Sequence, residues 1–530
     1  MKSVLFRKSI TMLAVFLSVA GANAVSAAET WHRADSHHFT IYSDGSAGQL
    51  EDFTHEVEKF DALLRMIFSR PAKDDPAKLT IYLLRNSNAV DALHKGAAGF
   101  YSVRLGQTFA VGNREFGGDR TDLSGKRVLF HEYAHHFMFH NFAIPAPAWF
   151  VEGFAEYVST AEFKRNGDWT FGFPAHHRAY SVQNGPNIPI ERLLSDTYSG
   201  MNGAETSAFY GWAWALTHML YSDPDERGNQ IMRYLRDINS GMDNLAAAEK
   251  NFGDLGELER SLRGYVRKSM GYSKSDKSIP YRDAITVTTL DDEASELVEL
   301  TLDRLASPEP MKVRERLVRF AAERNSALAW LQLAELDYRL AHRSEGEAEP
   351  PYDFTAAQGS IDRALAIDPD LARAHVLNGR ILLEPFDHGE EADEADESLW
   401  GEARASFLAA NRLDPRDPLA LYLYAQTFQR TGERDAMVGP ALETAFGFRP
   451  ESTEFRSALA MHYASEGHYD SAIALLKIIA NNPHSDNRSA KDAIARLEQA
   501  KAGGGPVPVG AIAIESEEDE EESGASTKAG

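Results

Sequence analysis

The sequence predicts two architectures in succession, an α+β domain followed by an all-α array of paired helices. Three observations carry this. Up to about Tyr272, β-branched and aromatic runs alternate with amphipathic helical periods. Beyond about Pro280 the composition turns helical. In that second part proline, small and large residues recur at fixed offsets, as in a stacked repeat. At 530 residues the chain is too long for one ordinary core, so separate domains are expected.

Residues 1–28 read as a signal peptide. Lys2, Arg7 and Lys8 form a basic start, Ile10 to Val19 a short apolar run, and Ala22/Ala24 or Val25/Ala27 offer small-residue cleavage sites. No later stretch is long and apolar enough to span a bilayer, so no membrane span is expected once the signal is removed. The chain has no cysteine, which excludes a disulfide framework, a thiolate metal site and a lipid-modified cysteine. The expected location is periplasmic or secreted. The net charge of −24 argues against nucleic acid as a partner.

Residues 29–275 form the expected α+β domain. Phe39-Thr40-Ile41-Tyr42 alternates like a half-buried strand, and Gln49 to Phe68 has helical periodicity. Lys78 to Leu84 is β-branched and apolar, as in a central strand. Phe100 to Val111 reads as a hairpin about Gly106. Helices are expected over Asp122 to Asn141, over Pro147 to Thr160 with proline near the first turn, and from about Ser207 to Tyr221. The polar segment from Ser273 to Pro280 marks the boundary, and 276–325 reads as a helical connector.

Residues 326–502 carry the repeat. Pro369, Pro415 and Pro450 each follow an apolar helix end. Small residues (Gly379, Ala425, Ala460) follow at one offset, and large ones (Leu382, Phe428, Tyr463) three positions later. Gly432 and Gly467 share a further offset, with Ala436 and Ala472 expected in the next helix. A small residue lets paired helices approach, and a large one fills the groove beside it. This pattern resembles the tetratricopeptide repeat, whose period is about 34 residues. Acidic loops at Pro385 to Glu397 and Arg343 to Pro351 interrupt it. Residues 503–530, a Gly/Pro stretch and then an acidic run, read as a disordered solubilising tail.

The chemistry is concentrated in His131-Glu132-Tyr133-Ala134-His135. On a helix this spacing puts two imidazoles one turn apart on one face, with a carboxylate between them. Apolar residues flank the motif on both sides, so the helix is expected to be buried, where idle polar groups would be costly. Seventeen residues after His135, Glu152 in Trp149-Phe150-Val151-Glu152-Gly153-Phe154-Ala155-Glu156-Tyr157 offers an anionic ligand.

With both segments, the chain resembles the gluzincin metallopeptidases, the group of thermolysin and aminopeptidase N, and bacterial peptidase-MA-like proteins. The resemblance covers about residues 30 to 270. It implies a zincin-type domain holding Zn²⁺ through His131, His135 and Glu152, with Glu132 as general base. It implies that Glu156 holds the second nitrogen of a ligand histidine, although a solvent-exposed helix charge is the plain alternative. Tyr210 is either the oxyanion donor or an ordinary core tyrosine; Tyr198 and His218 are rivals for that role. His136 and His140 read as packing or supporting residues, and His37, His38, His176 and His177 receive no role. Thr108 to Val111 is the expected edge strand for substrate, since zincins bind the substrate backbone on such a strand. The segment with which aminopeptidase N reads a free amino terminus is not recognisable, which favours an endopeptidase. The expected function is thus an exported zinc metallopeptidase acting on a peptide or protein, with the repeats binding a protein partner or substrate. The alternative is a periplasmic repeat-based scaffold whose zinc is structural or vestigial.

Overall fold

A computed structural model describes residues 30–70, 78–117, 123–142, 146–195, 200–222, 227, 229–342, 352–388, 396–481 and 488–503. The expected signal segment, Tyr198, the loop at 343–351, residues 389–395 of the acidic loop and the tail beyond Gly503 lie outside them.

The chain begins with strands β1 (His32–Asp35) and β2 (Phe39–Ser43), helix α1 (Ala47–Ile67), strand β3 (Leu79–Leu84) and helix α2 (Ser87–Leu93). Strands β4 (Phe100–Arg104) and β5 (Gln107–Asn113) then turn about Gly106, whose φ of 76° suits glycine. Next come α3 (Gly125–Asn141) and α4 (Ala148–Val158), then strands β6 (Glu162–Phe163) and β7 (Trp169–Phe171). Helices α5 (Ala179–Asn184), α6 (Ile190–Leu193) and α7 (Gly203–Tyr221) follow. The domain continues with α8 (Gln230–Asn239), α9 (Asn244–Phe252), α10 (Leu255–Tyr265), β8 (Ser273–Ser275) and β9 (Thr286–Thr289). Helix α7 starts four residues before the expected Ser207, because Asn202 and Glu205 close a capping box there.

The main sheet has the order β4-β5-β3-β2-β1-β9, with β2, β3 and β5 parallel and the remaining pairings antiparallel. This corrects two expectations. Thr108 to Val111 lies in β5, an interior strand, and the edge is β4. The more apolar strand of a hairpin takes the place with two neighbours, and β-propensity alone does not tell which that is. The segment expected as a helical connector supplies β9, which pairs with β1 from His32↔Thr289 to Asp35↔Thr286.

The largest core lies between one sheet face and the helices. Phe39, Ile41, Leu79 and Ile81 meet Leu129, Phe130, Tyr133 and Phe137 of α3, and the rings of Phe60 and Phe130 stack at 4.2 Å. Behind α3, helices α4 and α7 touch at Gly153, where a Cβ would sit 2.4 Å from the Ala213 carbonyl oxygen. On the other sheet face, Trp31, Tyr82, Phe109 and Val111 pack against Leu302 and Leu305 of α11 (Asp292–Ala306).

From α11 onward the chain is helical. After α12 (Pro310–Arg324) it pairs α13 (Ala327–His342) with α14 (Thr355–Ile367), and α15 (Ala372–His388) with α16 (Ser398–Leu413). It then pairs α17 (Pro418–Thr431) with α18 (Val438–Phe448), and α19 (Thr453–Ser465) with α20 (Tyr469–Ala480), before a last helix α21 (Arg488–Gly503). Gly379 is the small residue of its unit because a Cβ there would meet the Phe407 ring at 2.5 Å. Ala425 and Ala460 are likewise buried, and Gly432 and Gly467 have φ of 70° and 81° just past α17 and α19. Ala436, expected inside the next helix, is exposed in the turn before it.

Candidate metal centre

Helix α3 is capped by the Ser124 side chain, which accepts from the Arg127 N–H. Its first residue, Gly125, sits so close to β5 that a Cβ there would lie 2.2 Å from the Asn113 carbonyl oxygen. It is buried along most of its length, so His131, Glu132 and His135 are held among apolar side chains. Helix α4 lies beside it and is buried throughout.

The two helices bring one donor set together. His131 Nε2 and His135 Nε2 lie 3.1 Å apart, and Glu152 Oε2 is 3.5 Å from the first and 3.7 Å from the second. Among the described residues these three form a group whose donor atoms all lie within 4.8 Å of one another. Two imidazole nitrogens and one carboxylate, buried and convergent, fit a zinc ion with a position left open. Burial disfavours charge on His131, yet the Glu152 hydrogen bond and the carboxylates of Glu156, Glu132 and Glu152 push its pKa up to about 9. Three carboxylates, those of Glu132, Glu152 and Glu156, thus lie around His131, with Arg178 paired to Glu156.

Glu132 lines a pocket beside the donor set together with His131, Glu156, His177 and Arg178. Burial, with the charges of Glu152 and Glu156, pushes its pKa up to about 7 against the opposing pull of His131 and of a Tyr101 backbone hydrogen bond. A base poised there accepts a proton readily and gives it up again.

Glu156 is fully buried, so the solvent-exposed alternative does not describe it. Its Oε1 lies 3.4 Å from His131 Nδ1 and accepts from Arg178 Nη2 at 2.5 Å; its Oε2 lies 2.9 Å from His177 Nε2. Burial works against its charge, but Arg178, His177 and His131 hold its pKa well below the usual range. Sequence reasoning gave no role to His177 and did not single out Arg178. They sit in a short turn before α5, about twenty residues past Glu156, and no spacing rule links such a turn to the helix before it.

Tyr210 is buried on α7 with its ring 6.5 Å from that of His131 and the Arg178 guanidinium 5.3 Å above it. Its rival His218 is occupied elsewhere: Nδ1 meets the Tyr265 hydroxyl at 2.7 Å and Nε2 the Gly172 carbonyl at 2.9 Å. His136 Nδ1 meets the Tyr101 hydroxyl at 3.0 Å, and His140 Nδ1 meets Glu451 at 3.0 Å. His38 Nδ1 binds Glu58 at 2.8 Å, away from the donor set. Tyr101 was also missed. Its part follows from β4 being the edge strand beside α3, which a hairpin signal does not disclose.

No family model matches the chain, and no curated protein matches it. Among solved structures it is similar to a thermophilic tetratricopeptide-repeat protein of Thermus thermophilus, at 18% identity and a TM-score of 0.30. The likeness covers 39% of this chain and 99% of that one. Among the described residues no helix is long and apolar enough to cross a membrane.

Proposed function

We propose that the protein is an exported zinc-dependent metallopeptidase of gluzincin type that cleaves within peptides or proteins, with its repeats engaging a protein substrate or partner. The observation that carries the reading is the convergence of the donor atoms of His131, His135 and Glu152, with Glu132 beside His131 in the adjoining pocket. Zinc bound there supplies a Lewis acid and lowers the pKa of its water.

The remaining steps belong to the chain. Glu132 takes the proton of the attacking water and delivers it to the leaving amine. The Tyr101 backbone hydrogen bond steadies its carboxylate. Glu156, clamped by Arg178 and His177, lies against His131 Nδ1 and so directs Nε2 into the cleft. Tyr210, whose ring lies 6.5 Å from that of His131, is the residue we assign as donor to a developing oxyanion. Strand β4, antiparallel at the sheet edge and bonded to α3 through Tyr101, is the strand that a substrate backbone would extend.

Purified protein should carry about one zinc per chain, lost in His131→Ala and in Glu152→Ala. Glu132→Gln should keep the zinc and lose peptide hydrolysis. Hydrolysis retained in Glu132→Gln would falsify the mechanism. Zinc without hydrolysis in the wild type, across a broad peptide library, would favour the scaffold alternative.

A further inference from the structure

The tip of the β4–β5 hairpin is gripped by the repeats at three points. The Gly106 carbonyl accepts from Arg373 Nη1 at 3.3 Å, and a Cβ on Gly106 would lie 2.4 Å from Leu419 Cδ2. Arg373 is itself held by Glu335 at 3.3 Å and by Asp417 at 3.5 Å. Leu105 packs against a cluster that includes Val376, Leu419 and Phe455, on α15, α17 and α19. Thr108 accepts from Arg449 Nη1 at 3.0 Å and donates to Glu451 Oε1 at 3.3 Å.

Glu451, in the turn between α18 and α19, makes a second contact. Its Oε2 meets His140 Nδ1 at 3.0 Å, near the end of the helix that carries the metal ligands. The side chain is 2 % exposed, and its buried charge is held by His140, His136 and Arg449. The contacts close a ring. Thr108 pairs with Val103 of β4, and two residues along β4 Tyr101 meets His136 through its hydroxyl. His136 lies one helical turn from His140, which returns to Glu451. The backbone of the same Tyr101 reaches Glu132.

We propose that the repeat array is an intramolecular clamp on the β4–β5 hairpin, with Glu451 as the positioning residue that ties the substrate-binding edge strand to the metal-ligand helix. The description of β4 as the substrate edge rests on the peptidase reading above; the clamp itself rests on the contacts alone. The repeats therefore set the geometry of the cleft from a surface more than 300 residues away in sequence.

The test uses the full chain loaded with zinc and compares wild type, Glu451→Ala and Arg373→Ala by hydrogen–deuterium exchange and by steady-state hydrolysis of a peptide substrate. Amide exchange over residues 100–111 should rise about tenfold in both variants, the weight of one charge-assisted hydrogen bond. KM should rise by a similar factor while zinc content stays near wild type, because the edge strand binds substrate and carries no metal ligand. Unchanged exchange over 100–111 in both variants overturns the clamp, as does a rise spread evenly over the chain. If Glu451→Ala does not fold, Arg373→Ala at the hairpin tip decides by the same two readings. If the wild type hydrolyses nothing, the peptidase reading fails, and the exchange data still decide the clamp.

Discussion

Replacing Glu156 by glutamine separates the support of the metal centre from the centre itself. Glu156 is 2 % exposed and faces Arg178 at 2.5 Å and His177 at 2.9 Å, with His131 Nδ1 at 3.4 Å. Removing one partner of a buried ion pair costs about 3–5 kcal/mol, since the other charge is left without compensation. Glutamine keeps the shape and one acceptor for Arg178, so about 3 kcal/mol is expected. At about 2–4 °C per kcal/mol for a domain of this size, the melting temperature should fall by about 6–12 °C. The folded carboxyl titrates well below its ordinary value of 4.5. Its stabilisation is thus fully present above that value and is lost as pH falls through the folded pKa. The gap between wild type and variant should be widest at neutral pH and narrow in acid. Zinc affinity should fall about 10- to 100-fold, because His131 loses the carboxylate that orients it. Calorimetry of the zinc-free proteins at two pH values gives the first quantity, and a competitive chelator titration gives the second. A variant that folds and binds zinc as tightly as wild type would refute the role given to Glu156.

Gly153→Ala places a methyl group 2.3 Å from Thr217 Oγ1 and 2.4 Å from the Ala213 carbonyl oxygen. Overpacking of this kind costs about 1–3 kcal/mol, and because Glu152 is the neighbouring residue, weaker zinc binding should accompany the lower melting temperature. The interface carboxylate Glu451 is buried, yet His140, His136 and Arg449 bring its pKa down to about 2 from 4.5. That depression corresponds to about 3 kcal/mol, present above about pH 4.5 and drained as pH falls toward 2. Acid unfolding of Glu451→Gln should therefore start from a lower stability at neutral pH and show a shallower slope; an identical titration would remove Glu451 from the account.

The strands at Phe39–Ser43 and Leu79–Leu84 and the helices carrying the two motifs were legible from their apolar and β-branched runs and from the polar and proline residues that bound them. The repeat register was legible for a steric reason, seen at Gly379 against the Phe407 ring. Strand β9 was not, because Thr286–Thr289 has few apolar residues and is a strand only through its pairing with β1. Nor was the edge position of β4, since both arms of a hairpin look alike until a third strand joins one of them.

The same division holds in the site. The sequence by itself determined His131 and His135 as one face of one helix with Glu132 beside them, and pointed to Glu152, because helical spacing places side chains a turn apart whatever surrounds them. Only the tertiary structure decided that Arg178 and His177 hold Glu156, that Tyr101 reaches Glu132 and His136, and that Glu451 joins the repeats to Thr108 and His140. Those partners lie tens to hundreds of residues apart. What selects them is burial, since a charge removed from water must find a partner wherever the fold brings one within reach.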